Sequence, residues 1–106
     1  GSVIEASYFV FRTLRETADS LFVGKKVSNG LASSIKNAIR NKLRELNAPD
    51  VNIITSSDDA PEGFREDTFV VEIDGNTARV QVEFKPVQGL DFIFLDFTLG
   101  DIQQTA

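Results

Sequence analysis

The sequence predicts an α+β domain: two N-terminal helices packed on one face of a four-stranded antiparallel meander. Three observations predict it. The first half carries two stretches with apolar residues at helical spacing. The second half alternates apolar and polar residues on either side of Asp74-Gly75-Asn76, the signature of a hairpin turn. Antiparallel strands with one apolar face need a cover, and the two helices are the only elements that can supply it. At 106 residues the chain is expected to be one domain with a single core.

Residues 4–22 read as the first helix. At 100° per residue, Ile4, Tyr8, Val10, Phe11, Leu14, Ala18, Leu21 and Phe22 fall in one arc, with Arg12, Glu16 and Asp19 opposite. Phe9 falls on the polar side. The run Tyr8-Phe9-Val10-Phe11 also suits a strand, so a strand over residues 6–12 is the alternative. Gly24-Lys25-Lys26 breaks the pattern, and Ser28 is placed to cap a second helix over residues 29–47. Its apolar stripe is Leu31, Ile35, Ala38, Ile39, Leu43 and Leu46. Asn47-Ala48-Pro49 ends it, because a residue before proline is pushed out of the helical region.

Four strands are expected, over residues 51–56, 68–74, 77–85 and 91–99. An acidic loop covers residues 57–66, and a turn covers residues 86–89. Phe69, Val71 and Ile73 share a core face with Ala78, Val80, Val82 and Phe84, and with Ile93, Leu95, Phe97 and Leu99. Gly1-Ser2 reads as a cloning remnant, and residues 100–106 as a flexible tail.

Charge is unevenly distributed. Residues 1–48 carry eight basic and four acidic side chains, and residues 49–106 carry three basic and twelve acidic ones. A chain this polarised has two electrostatic ends, and each can choose a partner. The absence of Cys removes disulfides, a thiolate nucleophile and a thiolate zinc site. The absence of His removes an imidazole base, a Ser-His-Asp triad and histidine metal ligands. No catalytic residue, metal site or cofactor is expected. No apolar run approaches the ~20 residues of a membrane span. A cytoplasmic location is the expectation.

Two surfaces are candidates for partner binding. Phe92 and Phe94 point away from the core set of the last strand, beside Asp96 and Thr98. Val70 lies on the same outward side, with Arg79, Gln81, Glu83 and Lys85. Apolar surface on an open sheet face marks either a partner or a covering element of the same chain. The second surface is the polar stripe of the second helix: Lys36, Arg40 and Arg44 at spacings of four, with Asn37 and Asn41 beside them. Like charges at that spacing repel by ~0.2–0.5 kcal/mol per pair. The stripe is either solvated, paired with acids of its own sheet or a second copy, or aimed at phosphates and base edges. The leading expectation is a non-catalytic protein-binding or assembly module, self-association included. A nucleic-acid-binding protein using the second helix is the alternative.

The hairpin from Asp67 to Lys85 carries an acid on one strand and Glu83-Phe84-Lys85 on the next. In this it resembles the catalytic hairpin of the PD-(D/E)xK nuclease superfamily. The resemblance implies a third reading, a metal-dependent nuclease. Asp67 and Glu83 would hold Mg²⁺, Lys85 would orient the attacking water, and Glu72 or Asp74 could substitute for Asp67. The hairpin departs from that family in two places. No proline precedes Asp67, and little chain is left for a helix after the Glu-x-Lys strand. The loop acids Asp58, Asp59, Glu62 and Glu66 match no EF-hand spacing and read as a solvated loop.

Overall fold

The computed structural model describes residues 2–22, 30–87 and 91–100. The cap expected at Ser28, the break at residues 24–26, the turn residues 88–89 and the tail beyond Gly100 lie outside the described residues. The elements run α1 (Ser2–Phe22), α2 (Leu31–Asn47), β1 (Phe64–Asp74), β2 (Thr77–Phe84) and β3 (Ile93–Gly100). The strands form one antiparallel sheet in the order β1-β2-β3. α1 packs over β3, α2 packs over β1, and the helices pack on each other. The core lies between this helix layer and one sheet face.

α2 forms as its spacing dictates. Leu31, Ile35, Ile39, Leu43 and Leu46 are all buried, one residue per turn along one stripe. Gly30 occupies the N-cap position without a side-chain cap. At the other end Ala48 turns extended (ψ 146°), as the following proline requires.

α1 is helical throughout, so the strand alternative for residues 6–12 falls. Its buried line is Ala6, Val10, Leu14, Ala18 and Phe22, at strict intervals of four. Such a line winds around the helix by about 40° per step. The expected arc is therefore corrected at its N-terminal end, where Ile4 and Tyr8 are exposed. Ile4 and Phe22 are about five full turns apart and share one angular position on the wheel. The helix crosses its partners obliquely, so that position is buried at Phe22 and open at Ile4.

The fourth strand expected over residues 51–56 is not seen. Asn52 is left-handed (φ 49°), which breaks an extended run. The Ile53 and Ile54 N–H groups both donate to the Leu46 carbonyl at the end of α2, at 2.8 and 3.2 Å. Among the described residues this segment makes only one isolated bridge, Ile54 opposite Pro86, just past the end of β2. Lys85 shows why it cannot grow: its carbonyl accepts from Thr55 N–H, while its own N–H donates to the Gly63 carbonyl. From that point the edge of β2 belongs to β1.

β1 starts earlier than expected, at Phe64, because the register shifts between Arg65 and Val70. Arg65 lies opposite Glu83 and Val70 opposite Gln81, so β1 carries extra residues over this interval. Thr68 stitches the bulge: its hydroxyl donates to the Arg65 carbonyl (2.9 Å) and accepts from Glu83 N–H (3.0 Å). Beyond it the alternation holds. Phe69, Ala78, Val80, Val82, Phe84, Leu95, Phe97 and Leu99 are buried, with Val71, Ile73 and Ile93 at the margin. Gly75 takes φ +61° in the hairpin turn, where a side chain would be strained.

Candidate functional site

The structure divides the sequence-predicted contact residues between two layers. Val70, Phe92 and Phe94 belong to the outer sheet surface. Lys36, Asn37, Arg40, Asn41 and Arg44 belong to α2, which packs over the inner surface. They therefore do not form one site.

The α2 stripe is paired with the chain's own acids. The Arg40 guanidinium makes two bonds to Glu66, Nε to Oε1 at 3.2 Å and Nη2 to Oε2 at 2.5 Å, and a third to Asn37 Oδ1 at 2.9 Å. Arg44 Nε donates to Glu62 Oε2 at 2.7 Å. The Lys36 ammonium and the Arg40 guanidinium lie 5.1 and 5.4 Å from the centre of the buried Phe69 ring. Asn41 is exposed. The Arg40 hydrogen bonds hold the Glu66 carboxyl below its ordinary pKa against the opposing effect of desolvation, and the same bonds raise Arg40. The absence of Glu among the stripe's own helix neighbours is made good by β1 and the loop before it.

On the outer sheet face, three rows cross the strands. Arg65, Glu83 and Phe94 form one, Val70, Gln81 and Asp96 the next, and Glu72, Arg79 and Thr98 the third. Phe94 is 53% exposed. Phe92 is only half-buried, because the Arg65 guanidinium stacks 4.1 Å from its ring centre. That stack links β1 to the segment before β3, across the end of β2. Arg79 clamps Asp96 with two bonds, Nε to Oδ1 at 3.1 Å and Nη2 to Oδ2 at 2.7 Å, and Gln81 adds a third at 3.4 Å. These bonds lower the Asp96 carboxyl and raise Arg79. Val70 stands two strands from β3 with Gln81 between, so the apolar patch centres on Phe94 and Phe92. One end of the face is thus apolar, and the other is a tied polar clamp.

The nuclease hairpin does not assemble as its family's does. Asp67 falls inside the bulge and has no register partner on β2. Glu83 faces Arg65, Nε to Oε1 at 3.8 Å. Among the described residues no group of three acidic side chains could hold a metal ion. Asp67 instead lines an open groove of about 520 Å³ with Asp59, Glu62 and Glu66, all three of which already pair with arginines.

Sequence reasoning missed the outer flank of α1. Ile4 is 81% exposed and Tyr8 62%. The signal that could have found it is Ala6, which completes the strict four-residue line and rotates the buried face away from Ile4. Among the described residues no helix is long and apolar enough to cross a membrane. Compared with protein-family models, curated proteins and solved structures, the chain has no match in any of the three.

Proposed function

We propose that the chain is a non-catalytic protein-binding or assembly module that uses its outer sheet face as the contact. The observation that carries this reading is Phe94. It is a large apolar side chain, half exposed, on the face opposite the helix layer. Phe92 extends the patch, and Val70 lies at its far margin. Exposed aromatic anchors surrounded by polar groups are what interface centres are built from. The surrounding charges are mostly satisfied within the chain: Arg65 on Phe92, Arg79 on Asp96. A partner therefore gains apolar contact without having to break a strongly solvated charge.

The nucleic-acid reading has less support. It needs Arg40 and Arg44 as free cations, and both are already committed to carboxylates. The face reading is tested by sedimentation of the wild type and of Phe92→Ser/Phe94→Ser across a concentration series. Association in the wild type that weakens in the double variant is the expected result. Monomers of both at every concentration would contradict it.

A further inference from the structure

We infer that the outer sheet face is self-complementary, and that its occupant is a second copy of this chain stacked face to face about a two-fold axis. The axis lies between the two sheets, at right angles to the strands, over the Val70–Gln81–Asp96 row. The inference rests on the proposed contact role of this face and adds the partner and its register.

Both described helices pack on the inner sheet surface, and Phe94 stands exposed on the outer one. Residues 49–106 carry twelve acids and only three bases, Arg65, Arg79 and Lys85. All three bases lie on the outer face: Arg65 and Arg79 by register, Lys85 by alternation from the buried Phe84. The acidic half of the chain thus presents one face of mixed sign. Two like-charged copies need such a face if they are to meet.

Stacking about this axis keeps each strand over its own counterpart and reverses the order of the rows. The Arg65–Glu83–Phe94 row then falls over the Glu72–Arg79–Thr98 row of the second copy. Arg65 meets Glu72, and Glu83 meets Arg79, each pair made twice by symmetry. Size matches as well as charge. Phe94 falls over Thr98, and Phe92, one step further out, falls over Gly100, which has no side chain. The one like-charged contact is Asp96 with Asp96, and each is already neutralised by its own Arg79. The Arg79 side chain is still 54% exposed, so its remaining donors can take Glu83 of the second copy without releasing Asp96.

Other two-fold placements fail on charge. An axis running along β2 sets Glu83 on Glu83 and Arg79 on Arg79. An axis moved onto the first or third row stacks Glu83 or Arg79 on itself. The face is small: three strands from Phe92 to Gly100 span about 14 by 27 Å. A stable interface takes about 800 Å² from each partner, so this dimer is weak and forms at high concentration.

The chain has no cysteine, so single-cysteine variants report on single positions. Gln81, on the axis, stands about 10 Å from its counterpart, the spacing of packed sheets. Thr77, four residues along β2, stands at least about 27 Å from its own. Both are half-buried on the outer side of β2, so neither cysteine disturbs the core. At a concentration where the wild type associates, a short bismaleimide should link Gln81→Cys at least about tenfold faster than Thr77→Cys. The product has twice the 11.7 kDa chain mass. A charge swap supplies a second readout. Within one chain Glu83 and Arg79 stand about 14 Å apart on β2, too far to pair, so their coupling reads the contact between copies. Glu83→Arg and Arg79→Glu should each weaken the dimer, and the variant carrying both should dimerise more tightly than either. Suppose the wild type associates and Phe92→Ser/Phe94→Ser weakens it. Equal linking at the two cysteines, or a double variant no tighter than the single ones, would then overturn this inference and leave the outer-face reading standing. A monomeric wild type, or association indifferent to Phe92→Ser/Phe94→Ser, would overturn both.

Discussion

Glu66 sets what the basic stripe of α2 is able to do. Its carboxylate accepts two bonds from Arg40, and those bonds lower its pKa in the folded chain. A lowered folded pKa stabilises the protein at any pH above the ordinary carboxylate range. That stability is lost as pH falls through the lowered value. The pair is half exposed, so its worth at neutral pH is about 1 kcal/mol or less. Urea unfolding of wild type and Glu66→Gln should show a gap of that size at neutral pH, closing on acidification. A gap that stays constant into strong acid would refute the assignment. Gly63 is a second decisive residue. It sits at φ +87°, and a Cβ there would meet Ile54 Cγ1 at 2.9 Å and Cδ1 at 3.0 Å. Ile54 is fully buried and cannot retreat. Gly63→Ala should therefore cost about 1–3 kcal/mol in denaturant unfolding, through backbone strain and overpacking; an unchanged midpoint would mean the turn relaxes freely.

At the scale of elements, α1 is held to the core by its line of four-spaced buried residues and to β3 by the Phe11–Phe97 contact. Leu14 is fully buried at the centre of that line. Leu14→Ala should lose about 2–5 kcal/mol, the range for a core leucine, whereas Tyr8→Ala should lose little. Equal losses at the two positions, read by thermal unfolding, would put the buried face of α1 elsewhere. The elements legible in the sequence were those whose signal is local. α2 has one apolar residue per turn and a proline stop, and the hairpin alternates around Asp74-Gly75-Asn76. Residues 51–56 misled because their partners are distant: the Leu46 carbonyl at the end of α2, and a Lys85 backbone shared with β1. The candidate site divides the same way. The outward side of Phe94 followed from alternation alone, while the Arg65 stack that half-covers Phe92 depends on a bulge that alternation does not reveal. Ile4 was hidden by projection, since a wheel collapses five turns onto one circle.

For the whole molecule, the fold answers the charge asymmetry of the chain from within. The basic N-terminal half and the acidic C-terminal half meet along the seam of α2 with β1 and its preceding loop, where Arg40 finds Glu66 and Arg44 finds Glu62. The full chain carries a net charge of −5, and among the described residues Phe94 and the half-buried Phe92 form an apolar patch on the outer sheet face. Like-charged copies repel least where neither presents free charge, which favours this patch as the proposed contact. The central claim is that the outer face is a contact surface. Sedimentation equilibrium of the wild type against Phe92→Ser/Phe94→Ser, over a wide concentration range at moderate salt, tests it most directly. The account predicts a mass that rises with concentration in the wild type and rises less in the variant. Superimposable curves at the 11.7 kDa chain mass would contradict it.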